Sequence, residues 1–203
     1  YEIDIHAPHN VDKDVESIFV GQLDRAYFPV QIEDMQAELR FDDLGEESLK
    51  IGDVTVSWTY AVHPGAAVGY KIEVGGRRLA FLPDNEFLKG YRGDPALLTE
   101  HDEQLAMHRQ QLAFLADVDI LIHEAQYTNP EYASKIGWGH SSVGNACALA
   151  RLVQPERWII PHHDPDHTDD DLQHKLSLTR QVMRDMGSTV QVNHAHDGMI
   201  EYL

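Results

Sequence analysis

The sequence predicts an α/β fold in which strands hand over to helices through loops carrying histidine and carboxylate side chains. Three stretches support this. In Trp158–His167, WIIPHHDPDH, the residues Trp158, Ile159 and Ile160 form the short apolar run of a buried strand, and Pro161 ends it because proline cannot donate to a ladder. Thr168 then suits an N-cap, Asp169, Asp170 and Asp171 complement the positive helix end, and Leu172, Leu176, Met183 and Met186 supply an apolar face up to Gly187. The second stretch is a hairpin, Ala67–Val74 and Arg77–Leu82 around Gly75-Gly76, the dipeptide of a tight primed turn. The third runs from a buried strand, Val118–Ile122, ending at His123-Glu124, to the turn Gly137-Trp138-Gly139-His140 and a helix capped by Ser141 or Ser142.

With 203 residues the chain is long enough for one well-packed domain, 1–203. No run approaches the ~20 apolar residues of a membrane span, and Tyr1-Glu2-Ile3-Asp4 has neither the basic start nor the apolar stretch of a signal peptide. The absence of an initiator Met suggests a processed or excised piece. A single cysteine, Cys147, excludes an internal disulfide and fits a reducing compartment, so a cytoplasmic location is expected. The formal charge of −18, with 34 acidic against 16 basic residues, argues against a broad nucleic-acid-binding surface. A small anionic substrate remains compatible if a metal supplies local positive charge.

Taken in order, residues 1–10 read as a strand passing into a loop, and Val11 to about Leu23 as a modest helix with Asp12 near its start. His6 and His9 are expected to be ordinary loop histidines. Leu39–Leu44 and Val54–Val62 alternate as strands, the second after a Gly52-Asp53 turn. In the hairpin Val74 faces Arg77, so paired numbers sum to 151 and Ala67 faces Asp84. His63 therefore falls at the same open end as Asp84. Leu88–Glu100, with Gly90, Gly93 and Pro95, reads as a surface loop, and a helix is expected from Thr99 to Leu115 with His101 and His108 solvated on one face. His140 is presented at a helix start, where free N–H groups favour an anion. The tail is expected to form two short strands, Thr189–Val192 and Met199–Leu203, around His194-Ala195-His196-Asp197-Gly198.

The succession His63-Pro64, Asp84, His123-Glu124-Ala125, Gly139-His140-Ser141-Ser142 and His162 resembles the C-terminal half of the metallo-β-lactamase-fold hydrolases. It looks closest to the ribonuclease Z and cyclic-nucleotide phosphodiesterase-like branch. The resemblance covers roughly Val54–Leu203. It implies an αββα sandwich with two divalent metals, usually zinc, at the strand ends. By match, His63 would be a ligand of the first metal, Asp84 the bridging carboxylate and His162 a ligand of the second. His140 would face the scissile group, with Glu124 and Asp119 as supports and His163, Asp164 and His167 shaping the loop.

The implied chemistry is hydrolysis of a phosphodiester in a small nucleotide-like substrate, through a hydroxide bridging the metals. A lactone or thioester substrate is the alternative within that class. The family's main ligand cluster, H-x-H-x-D-H, occurs nowhere in the 203 residues, and with it goes the sheet half that would complete the sandwich. Two expectations follow. Either the remaining ligands come from a missing N-terminal segment or a second chain, or the chain is a degenerate, non-catalytic binding module. Half a sandwich should expose an apolar sheet face that pairs with such a segment or chain, or makes a homodimer.

Overall fold

A computed structural model describes residues 1–8, 13–45 and 48–203. The chain divides into two compact units, Tyr1–Ser48 and Leu49–Leu203. In the first, strand β1 (Glu2–Ala7) pairs in parallel with β2 (Glu38–Asp43), and helix α1 (Val15–Gln22) lies between them in sequence. Phe19 of α1 meets Phe41 of β2 at a ring separation of 5.3 Å, which fixes the helix to the ribbon. Helix α1 starts later than the sequence suggests, because the carboxylate of Asp14 accepts the Ser17 amide at 2.7 Å and caps it there. His9, Val11 and Asp12 lie outside the described residues. His6 sits within β1, opposite Asp42.

The second unit carries a seven-stranded sheet in the order of the sequence: β3 (Leu49–Ile51), β4 (Val54–Tyr60), β5 (Val68–Val74), β6 (Arg77–Leu82), β7 (Ile120–His123), β8 (Arg157–Ile160) and β9 (Gln191–His194). Strands β3 to β6 are antiparallel and β6 to β9 parallel. The hairpin has the expected register, Val74 opposite Arg77, with both glycines at positive φ. Its ladder stops at Tyr70 opposite Phe81, short of Asp84. Helices α2 (Arg109–Leu115), α3 (Asn129–Tyr132), α4 (Val143–Val153) and α5 (Asp169–Asp185) fill the connections.

Period-two alternation sorts the sheet into two faces. Ala80, Leu82, Leu121, Trp158, Ile160 and Val192 form one, and they share a core with Leu115, Ala146, Cys147, Leu149 and Met183 from α2, α4 and α5. The other face carries Ile51, Trp58, Tyr60, Tyr70, Ile72, Phe81 and Ile122, and among these Ile51, Tyr60 and Phe81 are exposed. Among the described residues no helix is long and apolar enough to cross a membrane.

Three elements of the second unit differ from expectation. Thr99–Leu115 is not one helix: a 3₁₀ segment, Glu103–His108, precedes α2. His108 is fully buried rather than solvated, since its Nε2 accepts the Leu88 amide at 3.0 Å. Helix α5 buries Lys175 and Thr179 beside Met183, so its inner face is less apolar than the pattern of leucines and methionines implies. Finally, Met199–Leu203 forms no strand. β9 finds its partner in β8 instead, and Arg157 holds the tail through the Glu201 carboxylate and the Tyr202 carbonyl.

The parallel strands β6 to β9 all end at one edge of the sheet. The β4–β5 turn lies at that edge too, because β5 runs against β6. Open α/β sheets bind ligands at such carboxyl edges, and this edge collects the loops that carry His63, Asp84, His123-Glu124 and His162.

Candidate metal centre

Asp84 follows β6 directly after Pro83, and the two residues beyond it anchor the β4–β5 turn. Asn85 Oδ1 accepts the Val62 amide at 2.9 Å, and the Glu86 amide donates to the Val62 carbonyl at 2.8 Å. These two bonds bring His63 to the Asp84 loop, as the hairpin geometry predicts. His162 stands just past β8 with φ +53, a left-handed conformation unusual for a side chain with a Cβ. Its Nε2 lies 3.2 Å from Asp84 Oδ1.

His140 completes the group. Asp84, His140 and His162 each offer a donor atom, and these atoms lie within 4.8 Å of one another, the one such set among the described residues. The His140 ring is 4.8 Å from that of His162 and 5.3 Å from that of His63. His63 thus borders the set without belonging to it. A nitrogen, nitrogen and carboxylate-oxygen donor set of this kind suits zinc and similar divalent ions. His140 Nδ1 is buried without a hydrogen bond on the Glu124 side, and burial, with His162 close by, lowers the pKa of this ring.

Two buried carboxylates shape the cradle. Glu124, fully buried at the end of β7, accepts the Ser141 amide and the Gln126 amide, both at 2.7 Å, and Oε1 stands 3.9 Å from His140 Nδ1. Burial pushes its pKa well up, against the lowering pull of those amides. Glu86 accepts the amides of Gly137 and Gly139 and the Tyr132 hydroxyl. Gly139 has φ +94, and a Cβ there would stand 2.9 Å from His63 Cγ and 2.6 Å from Pro64 Cδ. Only glycine lets His140 approach His63.

Several flagged residues lie elsewhere. Asp119 sits at the opposite edge of the sheet, where it accepts the Arg78 amide and pairs with Arg77, so it supports the hairpin and not the metal centre. His123 points into the core and contacts Asn85. His163 meets His194 at a ring separation of 4.3 Å with the planes tilted by 43°, while His167 bridges Glu131 and Lys175 and ties down the loop. The His194–Gly198 loop gathers no group of three metal donors among the described residues. Glu86 escaped the reading of the sequence. The signal available was a glycine on either side of Trp138, which implies a turn that needs outside support.

A family model described as a beta-lactamase superfamily domain matches residues 1–163, which takes in the first 53 residues that the resemblance left out. No curated protein matches the chain. Among solved structures, the metallo-beta-lactamase fold protein YhfI from Bacillus subtilis is 14% identical with a TM-score of 0.63, covering 98% of this chain and 64% of its own. Zn(2+)-bound PqqB from Methylobacterium extorquens is 19% identical with a TM-score of 0.58, covering 100% of this chain and 63% of its own. The short form of human tRNase Z is 17% identical with a TM-score of 0.55, covering 98% and 66%. The chain thus spans less than two thirds of the length of each, and at these identities the likeness establishes the fold. Together with the extent of the family match, it places this chain in the beta-lactamase superfamily, with the metallo-β-lactamase fold.

Proposed function

We propose that this chain is the metal-holding portion of a hydrolase that cleaves a phosphodiester in a small nucleotide-like substrate. The observation that carries the reading is the meeting of Asp84, His140 and His162 within 4.8 Å at the carboxyl edge of the sheet, with a buried carboxylate behind His140. Asp84 and His162 are the donors to a divalent ion, with His63 serving an adjoining one. A zinc ion bound there would lower the pKa of a water and offset charge developing on the substrate. PqqB is Zn(2+)-bound in its structure, and tRNase Z acts on RNA as its name states; both are compatible with this chemistry.

The chain's own groups do the rest. Protonated beside a bound anionic substrate, His140 gives its proton to the departing oxygen through the ring nitrogen opposite Glu124 and returns to the neutral form; Glu124, 3.9 Å from Nδ1, supports the charged ring before that transfer. Glu86 and Gly139 hold that ring in place. The −18 charge favours a small substrate over a polynucleotide. Because H-x-H-x-D-H is absent from the sequence, the remaining ligands come from a further segment or chain, and the apolar face with Ile51, Tyr60 and Phe81 exposed is where it packs.

Hydrolysis of bis(p-nitrophenyl) phosphate by the zinc-loaded protein, assembled with the segment or chain that carries the remaining ligands, tests the reading. Asp84→Ala should abolish turnover and His123→Ala should cost far less. Equal losses from the two substitutions would overturn the assignment, and hydrolysis confined to lactones or thioesters would replace the substrate class.

A further inference from the structure

We propose that Trp138, Lys135 and Lys89 form a substrate-recognition platform beside the metal centre, in which the indole stacks on a flat ring and the ammonium groups bind an anionic oxygen. The inference rests on the hydrolase reading and assigns the residues that choose the substrate. Trp138 is 58% exposed although its neighbours Gly139 and Tyr132 are buried. It is not loosely displayed. The amides on both sides of it, Gly137 and Gly139, are held by the carboxylate of Glu86, which is itself 1% exposed, and its own amide closes a turn onto the Lys135 carbonyl at 3.1 Å. Burying a carboxylate is costly, yet here it serves to fix a turn that presents an exposed indole.

The platform is continuous with the metal centre. Lys135 Nζ lies 4.1 Å from the Trp138 ring centre and 5.6 Å from that of Tyr127, whose ring in turn lies 6.3 Å from His140. Lys89 reaches the same turn: a Cβ on Gly137 would stand 3.7 Å from its Nζ. Only six of the 203 residues are lysine, and two of them converge on this one turn in a chain of charge −18. Among the described residues neither makes an ion pair, so both charges are available to a ligand. An exposed aromatic face next to cations is the recognition surface of a nucleobase attached to phosphate, because stacking tolerates any base and the cations add affinity for the anion.

The probes are 5′-AMP and ribose 5-phosphate, titrated by calorimetry into the protein with and without saturating zinc. AMP should bind more tightly than ribose 5-phosphate by about 5- to 150-fold, the range expected of one stacked base. Trp138→Ala should bring AMP to the ribose 5-phosphate level, and Trp138→Phe should restore most of the difference. Lys89→Ala with Lys135→Ala should weaken both ligands alike and flatten their salt dependence. Equal affinities for the two ligands, or a Trp138→Ala variant that binds AMP as before, would overturn the proposal. Turnover of bis(p-nitrophenyl) phosphate is followed separately, in the zinc-loaded protein assembled with the segment or chain that carries the remaining ligands. Discrimination without turnover would leave the platform standing and remove the hydrolase reading, whereas turnover without discrimination would do the reverse.

Discussion

Gly139→Ala perturbs the centre without touching any donor atom. Two costs arise. The first is conformational: an alanine at φ +94 is disfavoured by about 1–2 kcal/mol. The second is steric, because the new Cβ would meet the His63 ring and Pro64 Cδ, the latter at 2.6 Å, and neither is the free end of a flexible chain. Forcing a methyl into such a contact costs about 1–3 kcal/mol. The sum is about 2–5 kcal/mol. Gly137→Ala is the internal control, since Gly137 has a similar φ of +88 but a Cβ there meets only Lys89, at 3.7 Å. It should lose only the conformational part, about 1–2 kcal/mol. Urea denaturation of both variants gives the difference, which isolates the packing of the His140 turn on His63. Equal losses would refute the view that glycine is required there by the approach of the two histidines.

Two further outcomes are expected. His108 and His123 are fully buried, and burial lowers their pKa to about 4 and about 3, so the unfolded chain takes up protons before the folded one as pH falls. Their contribution is complete above about pH 6.5 and is lost below it, about 1 kcal/mol for each histidine between about pH 7 and about pH 5.5; urea midpoints at those two pH values should show the fall, and His108→Gln should reduce it. Lys175 is 1% exposed, with Nζ donating to the Gln126 carbonyl and to His167, and burial lowers its pKa to about 8. Lys175→Met, which keeps the volume, should change stability at neutral pH by less than about 1.5 kcal/mol, whereas Lys175→Ala should cost about 2–5 kcal/mol in the same urea assay through the cavity it leaves.

Local pattern carried much of the fold. The Gly75-Gly76 turn set the hairpin register, and from it the neighbourhood of His63 and Asp84. Thr168 and Ser142 cap the helices as their chemistry suggests, each side chain accepting an amide three residues on. What escaped depends on contacts distant in sequence. Glu86 reaches Gly137 across 51 residues, and His108 finds the Leu88 amide across 20, so neither burial leaves a periodic trace. The tail was misread for a related reason: Met199–Leu203 has strand-like residues, but β9 already had a partner in β8, and Arg157 holds the final residues outside the ladder. The site's histidines were legible as types in order, while the distinction between His162 and His163, adjacent in sequence and directed to different surroundings, required the backbone twist at His162.

The central claim is that Asp84 and His162 hold a divalent metal. Cobalt(II) titrated into the protein as a spectroscopic stand-in for zinc tests it directly, with visible absorption reporting the donor set and zinc displacing the colour. The account predicts saturable uptake that Asp84→Ala and His162→Ala each weaken at least tenfold, a change of about 1.4 kcal/mol, while His123→Ala leaves it intact. Uptake unchanged in Asp84→Ala and His162→Ala would contradict it.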